Sequence, residues 1–202
     1  MTLTTWLSLA AICCLGAMSP GPSLAVVLRH TIGGGRTHGI LTAVSHGTGV
    51  ALWALLTVLG LSLLVTQTPL IYTAMTYAGA CYLAWLGIKA IRSKGDNQLT
   101  PESTKGPLFN AALDGLMISL LNPKLAIFFI ALFSQFVAIN MSSGEQLTMI
   151  ATAGSIDILW YVFIAMTMSH SCIIDRLQNK AVLINKISGI IMVALALRVV
   201  TL

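Results

Sequence analysis

Residues 5–28 read TWLSLAAICCLGAMSPGPSLAVVL. An apolar run of this length can cross roughly 30 Å of hydrocarbon, because a helix rises about 1.5 Å per residue. It is nevertheless interrupted by Ser19-Pro20-Gly21-Pro22. Two prolines and a glycine withdraw backbone donors and leave carbonyls without helical partners. Inside a bilayer such groups are tolerated only where they face protein or a water-filled cavity. A packing kink accounts for a single proline; Pro-Gly-Pro matched by a second break elsewhere in the chain points to a cavity. No basic residue precedes the run, it is too long for a signal core, and no small-x-small cleavage site leads into soluble sequence. We therefore expect a span here rather than a secretory leader.

The rest of the chain has the same character. Of its 202 residues, 56% are hydrophobic and 8% are charged, whereas a soluble domain needs about a quarter charged. The solvent must be lipid. Six stretches are long and apolar enough for spans: Thr5 to Leu28, Ile40 to Thr66, Leu70 to Ile88, Asn110 to Ala138, Leu147 to Met168, and Val182 to Leu202. Turn-forming sequence separates them: Gly33-Gly34-Gly35-Arg36, Thr68-Pro69, Met141-Ser142-Ser143-Gly144, and the polar runs Arg92 to Pro107 and Asp175 to Lys180. The predicted fold is an all-α membrane protein and a single transmembrane domain, with residues 5–91 as one half, 92–107 as a cytoplasmic linker and 108–202 as the other half.

Lysine and arginine mark the cytoplasmic side. Nine of the eleven basic residues, Arg29, Arg36, Lys89, Arg92, Lys94, Lys105, Arg176, Lys180 and Lys186, fall in or beside the first, third and fifth connections. Lys124 and Arg198 are the other two. Both termini are thus expected outside the cytoplasm. Three spans per half is an odd number, so the second half must insert upside down relative to the first. The fourth span is broken by Asn122-Pro123-Lys124 where the first is broken by Ser19 to Pro22, and Gly47 precedes Trp53 by the same interval that separates Gly154 from Trp160. Matched breaks in inverted halves are the sequence pattern of secondary transporters.

The chemistry is expected at those breaks. Lys124 lies well inside the fourth span, where a cation costs on the order of 3 kcal/mol. Snorkelling is difficult from that depth, so we expect its ammonium in a cavity, facing a substrate carboxylate or an internal aspartate. The half-helix restarting after Pro123 is expected to add free amides and a positive dipole end. Asp157, at similar depth in the fifth span, is the candidate proton carrier or partner of a substrate ammonium, with a structural ion pair to Lys124 as the alternative. Asp114 and His46 are further candidates for proton coupling, although a cap or interfacial role suits Asp114 and an interhelical hydrogen bond suits His46. Trp53 and Trp160 lie too deep for the interfacial aromatic belts and are candidate cavity residues, with packing or lipid contact as alternatives. The substrate-binding set is therefore Ser19, Pro20, Gly21, Pro22, Asn122, Pro123, Lys124, Trp53 and Trp160. Gly79 with Gly87, and Ser188 with Gly189, suit close helix packing or a dimer seam.

Several function classes drop out. Cys13, Cys14, Cys81 and Cys172 form no CxxC pair and do not cluster with histidine, which argues against a disulfide scaffold, a zinc site and a thiol relay. No phosphate loop, metal-ligand spacing or Ser/His/Asp arrangement occurs, so neither a cofactor nor a metal is expected and the chain is not expected to be an enzyme. The net charge of +5 reflects loop charges that orient the membrane protein, not a nucleic-acid face. A channel would share the polar midplane but would not need two matched breaks, and a purely structural subunit would not need a lysine there.

Taken together, Ser19-Pro20-Gly21-Pro22, Gly35-Arg36-Thr37-His38-Gly39, Gly47 to Trp53, Gly79 to Gly87 with Arg92, and Leu121-Asn122-Pro123-Lys124 followed by Phe128-Phe129 resemble the lysine exporter superfamily. The similarity is to its homoserine/threonine resistance branch of bacterial amino-acid efflux proteins. This resemblance implies export of amino acids across the inner membrane, driven by proton antiport, and a homodimer. It also implies a neutral substrate such as threonine, homoserine or leucine, because exporters of basic amino acids in the superfamily tend to lack the lysine after Asn-Pro and to carry an aspartate soon after it. Export of a basic amino acid or another small metabolite, or a channel, is the alternative. His46 is not part of the family pattern.

Overall fold

A computed structural model describes residues 1–19, 21–92, 106–137 and 141–167, together with scattered positions between 183 and 197. The described chain is helical: α1 (Leu3–Met18), α2 (Pro22–Gly34), α3 (Arg36–Gln67), α4 (Pro69–Arg92), α5 (Leu108–Leu120), α6 (Pro123–Phe133) and α7 (Ser143–Thr167). Both expected interruptions are present. The axes of α1 and α2 differ by 60°, and those of α5 and α6 by 54°. In each pair the second helix begins with proline, a residue pre-set for the first helical position and unable to continue the preceding helix.

α3 and α7 are each long and apolar enough to cross a membrane, and each bent pair passes the same test as one broken span. α4 is helical across the expected third span, but its tyrosines, threonines, glycines and terminal basic residues keep it out of that set. The expected sixth span and the linker lie largely outside the described residues, as does Pro20. Each half of the chain thus opens on a bent helix pair, followed by a long straight helix in the first half and again in the second.

Glycines set how closely the helices approach. A Cβ on Gly47 would collide with Ile158, and one on Gly154 would lie 3.0 Å from the Ala51 Cβ, so α3 and α7 pack antiparallel almost backbone to backbone. Gly115 abuts Thr42 and Ser45, and Gly49 abuts Ser119, which brings α5 alongside α3 in parallel. Gly87 of α4 meets Gly189: a Cβ at Gly87 would fall 2.6 Å from the Gly189 carbonyl oxygen. These two glycines therefore serve close helix packing within the chain. Gly35, between α2 and α3, has φ of 87°, a left-handed conformation that favours glycine and lets the next helix start after one residue. At the other end of the molecule α7 starts with a reciprocal cap. The Ser142 amide donates to Glu145 Oε2 (3.0 Å), and the Glu145 amide donates to Ser142 Oγ (3.3 Å).

Candidate functional site: a polar cavity where the two helix breaks meet

The break between α1 and α2 faces the break between α5 and α6. Ser19, Gly21, Pro22 and Ser23 from the first, and Asn122 and Lys124 from the second, line one cavity. His46 and Val50 of α3 and Ala153, Asp157 and Tyr161 of α7 complete it, with Cys13, Gly16, Ala17, Leu125, Phe128 and Phe129. The Lys124 Nζ donates to Ser19 Oγ over 3.4 Å, a direct link between the two breaks. The cavity offers about 40 Å³ to water-sized occupants, room for about three waters.

Two apolar clusters flank it. Leu9, Ile12, Val58, Leu132, Phe133 and Met149 belong to the cluster at one end. Leu24, Val27, Leu28, Ala43, Ile164 and Ala165 fill the other. The second lies toward Arg29 and Arg36, the side that the charge pattern assigns to the cytoplasm.

The two helix starts differ in chemistry. At α6 the Asn122 side chain accepts from the Lys124 amide (3.0 Å), and the Asn122 carbonyl accepts from the amides of Leu125 and Ala126. The expectation of free amides after Pro123 is therefore corrected, because Asn122 caps them itself. At α2 the cap residue is Gly21, which has no side chain to offer, and Pro22 has no N–H. The Ala25 amide is taken by the Gly21 carbonyl. Among the described residues no acceptor is recorded for the amides of Ser23 and Leu24, which suits them to an anionic group. The free positive helix end is that of α2, and the Lys124 ammonium stands close to it: a Cβ at Gly21 would lie 3.9 Å from Nζ.

The opposite wall carries the negative charge. Asp157 Oδ2 and His46 Nδ1 are 2.7 Å apart, and both residues are buried, with 6% and 1% of their surface exposed. His46 Nε2 is also buried and has no hydrogen-bond partner among the described residues. The His46 ring packs edge-on to Tyr161, centroids 5.1 Å apart, and Tyr161 and Ser23 both line the cavity. Lys124 and Asp157 share the cavity without forming an ion pair, so of the two roles expected for Asp157 the structural pair with Lys124 is not the one present. His46 takes that place.

Other expected site residues lie elsewhere. Trp53 is packed against the larger apolar cluster, and its Nε1 donates to the Ser119 carbonyl (3.2 Å), fastening α3 to the end of α5. Trp160 faces a groove on the outside of the bundle with Cys14, Met18, Ile156, Leu159 and Phe163. Asp114 accepts from Arg29 and pairs with His30 Nε2 at 2.9 Å, tying α2 to α5 away from the cavity. Ser23, Tyr161, Phe128 and Phe129 are cavity residues that the sequence reasoning did not select as site residues. The spacing of Tyr161 four residues after Asp157 is the signal that could have found one of them. Among the described residues no group of His, Cys, Asp or Glu could hold a metal ion.

A broken-helix cavity carrying both charges belongs to a solute carrier more than to a packing core, and the whole-chain comparison agrees. Residues 14–202 match the LysE type translocator family. The chain belongs to that family. As a LysE type translocator it is a transporter and a multi-pass membrane protein. It is 24% identical over 189 residues to the uncharacterized membrane protein YrhP of Bacillus subtilis (strain 168), covering 89% of this chain and 90% of the relative. It is 29% identical over 189 residues to the uncharacterized membrane protein YahN of Escherichia coli (strain K12), covering 90% and 82%. It is 29% identical over 192 residues to the leucine efflux protein of Salmonella choleraesuis (strain SC-B67), covering 91% and 88%. No solved structure matches this translocator.

Proposed function

We propose that this translocator exports neutral amino acids, with leucine, threonine and homoserine as first candidates, across the bacterial inner membrane in exchange for protons. One observation carries the proposal: a cavity at the meeting of two helix breaks holds an ammonium and a carboxylate that are not paired with each other. A zwitterion complements that arrangement. Its carboxylate would take the Lys124 ammonium and the amides of Ser23 and Leu24, and its ammonium would turn toward Asp157. A fixed cation disfavours a lysine or arginine side chain in the same space. The leucine efflux proteins among the relatives support an amino-acid substrate.

Asp157 and His46 are the proposed proton-carrying pair. The pair can hold a proton while the site is empty and release it when a substrate ammonium engages Asp157, so that proton and substrate occupy the site in turn, as exchange requires. The proposed architecture is six spans in two inverted halves with both termini on the periplasmic side, which the bent-pair-then-straight-helix order of each half supports. The test is counterflow in proteoliposomes with labelled amino acids, with and without an imposed pH gradient. Saturable leucine or threonine exchange that Lys124→Ala abolishes is the expected result. Arginine exchange that survives Lys124→Ala would overturn the substrate proposal, and flux that never saturates would favour a channel.

A further inference from the structure

We propose that Phe128, seated against Gly16, sizes the amino-acid side chain that the translocator accepts; this rests on the cavity being the amino-acid site. The cavity is layered. Four pairs of lining residues lie one helical turn apart: Ser19 with Gly16, His46 with Val50, Lys124 with Phe128, and Asp157 with Ala153. α1 runs parallel to α7, as the Trp6 to Thr152 bond and the α1 start beside Glu145 require. α3 runs antiparallel to α7, and α6 antiparallel to α1. With those directions, the apolar member of every pair falls on the same side of its polar partner. One layer therefore holds charge and hydrogen-bonding groups, and the adjoining layer is apolar.

Every amino acid has the same charged end and a variable side chain. Its charged end is bound to the polar layer, because desolvating it elsewhere is costly. The side chain must then project into the apolar layer. Phe128 is the bulky, movable surface it meets there. The ring is buried, and a Cβ added at Gly16 would come within 2.9 Å of its Cζ, so the ring tip fills the space that a larger residue at position 16 would take. Behind it Phe129 stacks edge-on at 5.5 Å, and Phe133 edge-on to that ring at 5.4 Å. The Phe128 ring thus forms part of the apolar wall of the cavity, and the room beside Gly16 depends on what stands at position 128. A hydrophobic pocket discriminates by size to a limited degree, about 10-fold to 200-fold per methylene, which makes the effect measurable without abolishing transport.

The experiment is counterflow of glycine, alanine, leucine, phenylalanine and tryptophan in proteoliposomes, comparing wild type with Phe128→Ala, Phe128→Leu and Gly16→Ala. The readout is the ratio of kcat/KM between substrates. Phe128→Ala and Phe128→Leu should raise phenylalanine relative to leucine by about 10-fold, and Gly16→Ala should lower leucine relative to alanine by about 10-fold. Phe128→Leu and Gly16→Ala guard against a Phe128→Ala variant that fails to fold. Amino-acid exchange with every ratio unchanged in the variants would overturn this proposal and leave the transport function standing. Absence of exchange of any amino acid by the wild type would overturn both.

Discussion

Lys124 is the residue on which the site turns. Its ammonium has a serine hydroxyl for company and no carboxylate among the described residues within ion-pair distance, so a substrate carboxylate would supply its missing counter-charge. Removing one charged hydrogen-bond partner of this kind costs about 1.5–3 kcal/mol. Lys124→Ala should therefore weaken leucine binding by about 10-fold to 100-fold, as read by equilibrium binding of labelled leucine. His46→Gln should separate coupling from binding: it should keep counterflow at equal pH while losing accumulation driven by a pH gradient, whereas Asp157→Asn should weaken both, because Asp157 also meets the substrate ammonium. If the Asp157→Asn protein still accumulated substrate against that gradient, the proton role would pass to another group. Lys124 and Asp157 were legible in the sequence, because a charge inside a span is costly enough to mean something on its own. The pairing of Asp157 with His46 was not, since 111 residues separate them and no local rule joins α3 to α7. The tryptophans were misleading for a geometric reason. Trp53 lies seven residues beyond His46, about 10 Å along the helix axis, which carries it past the cavity into the apolar cluster. Trp160 and Tyr161 are neighbours about 100° apart around α7, and it is Tyr161 that faces inward.

At the scale of elements, the small residues decide whether the site can form. Gly47 stands next to His46, and any side chain there would meet Ile158, one residue beyond Asp157. Gly47→Val should therefore push α3 from α7, part the His46–Asp157 pair and reduce the yield of monodisperse protein in size-exclusion chromatography. Gly60, on the same helix, has nothing within 4 Å of an added Cβ, and Gly60→Val should be tolerated in the same assay. Equal loss in both variants would mean that helix propensity, not close packing, was at stake. The broken spans were readable in advance because proline acts through covalent structure, whatever the tertiary context. Which helix start would offer free amides was not readable. That depended on Asn122 turning back onto the Lys124 amide, while Gly21 at the matching position has no side chain to do so. Asn122→Ala should cost about 1 kcal/mol of stability through the lost cap, visible as a lower thermal transition in detergent.

For the whole molecule, the cavity lies between two apolar clusters, and the proposed export would need a path past each in turn. The side that bears Arg29 and Arg36 is also tied by Arg29 and His30 of α2 to Asp114 of α5. These side chains are more than a third exposed in the case of Arg29 and Asp114, so the tie is worth about 1 kcal/mol or less and can break during a transport cycle. On a cysteine-free background carrying Ser23→Cys, Asp114→Asn should speed labelling by a thiol reagent from the side that bears Arg29 and Arg36. Unchanged labelling would mean that the apolar cluster alone holds that side closed.

The central claim is that a zwitterion sits between the two breaks with its carboxylate on Lys124. The most direct measurement compares leucine with leucinamide, which lacks the negative charge, by equilibrium binding to the purified protein. Wild type should bind leucine at least 10-fold more tightly than leucinamide, and Lys124→Ala should erase that preference. Equal binding of the two ligands by the wild type, or a preference that survives in Lys124→Ala, would contradict the account.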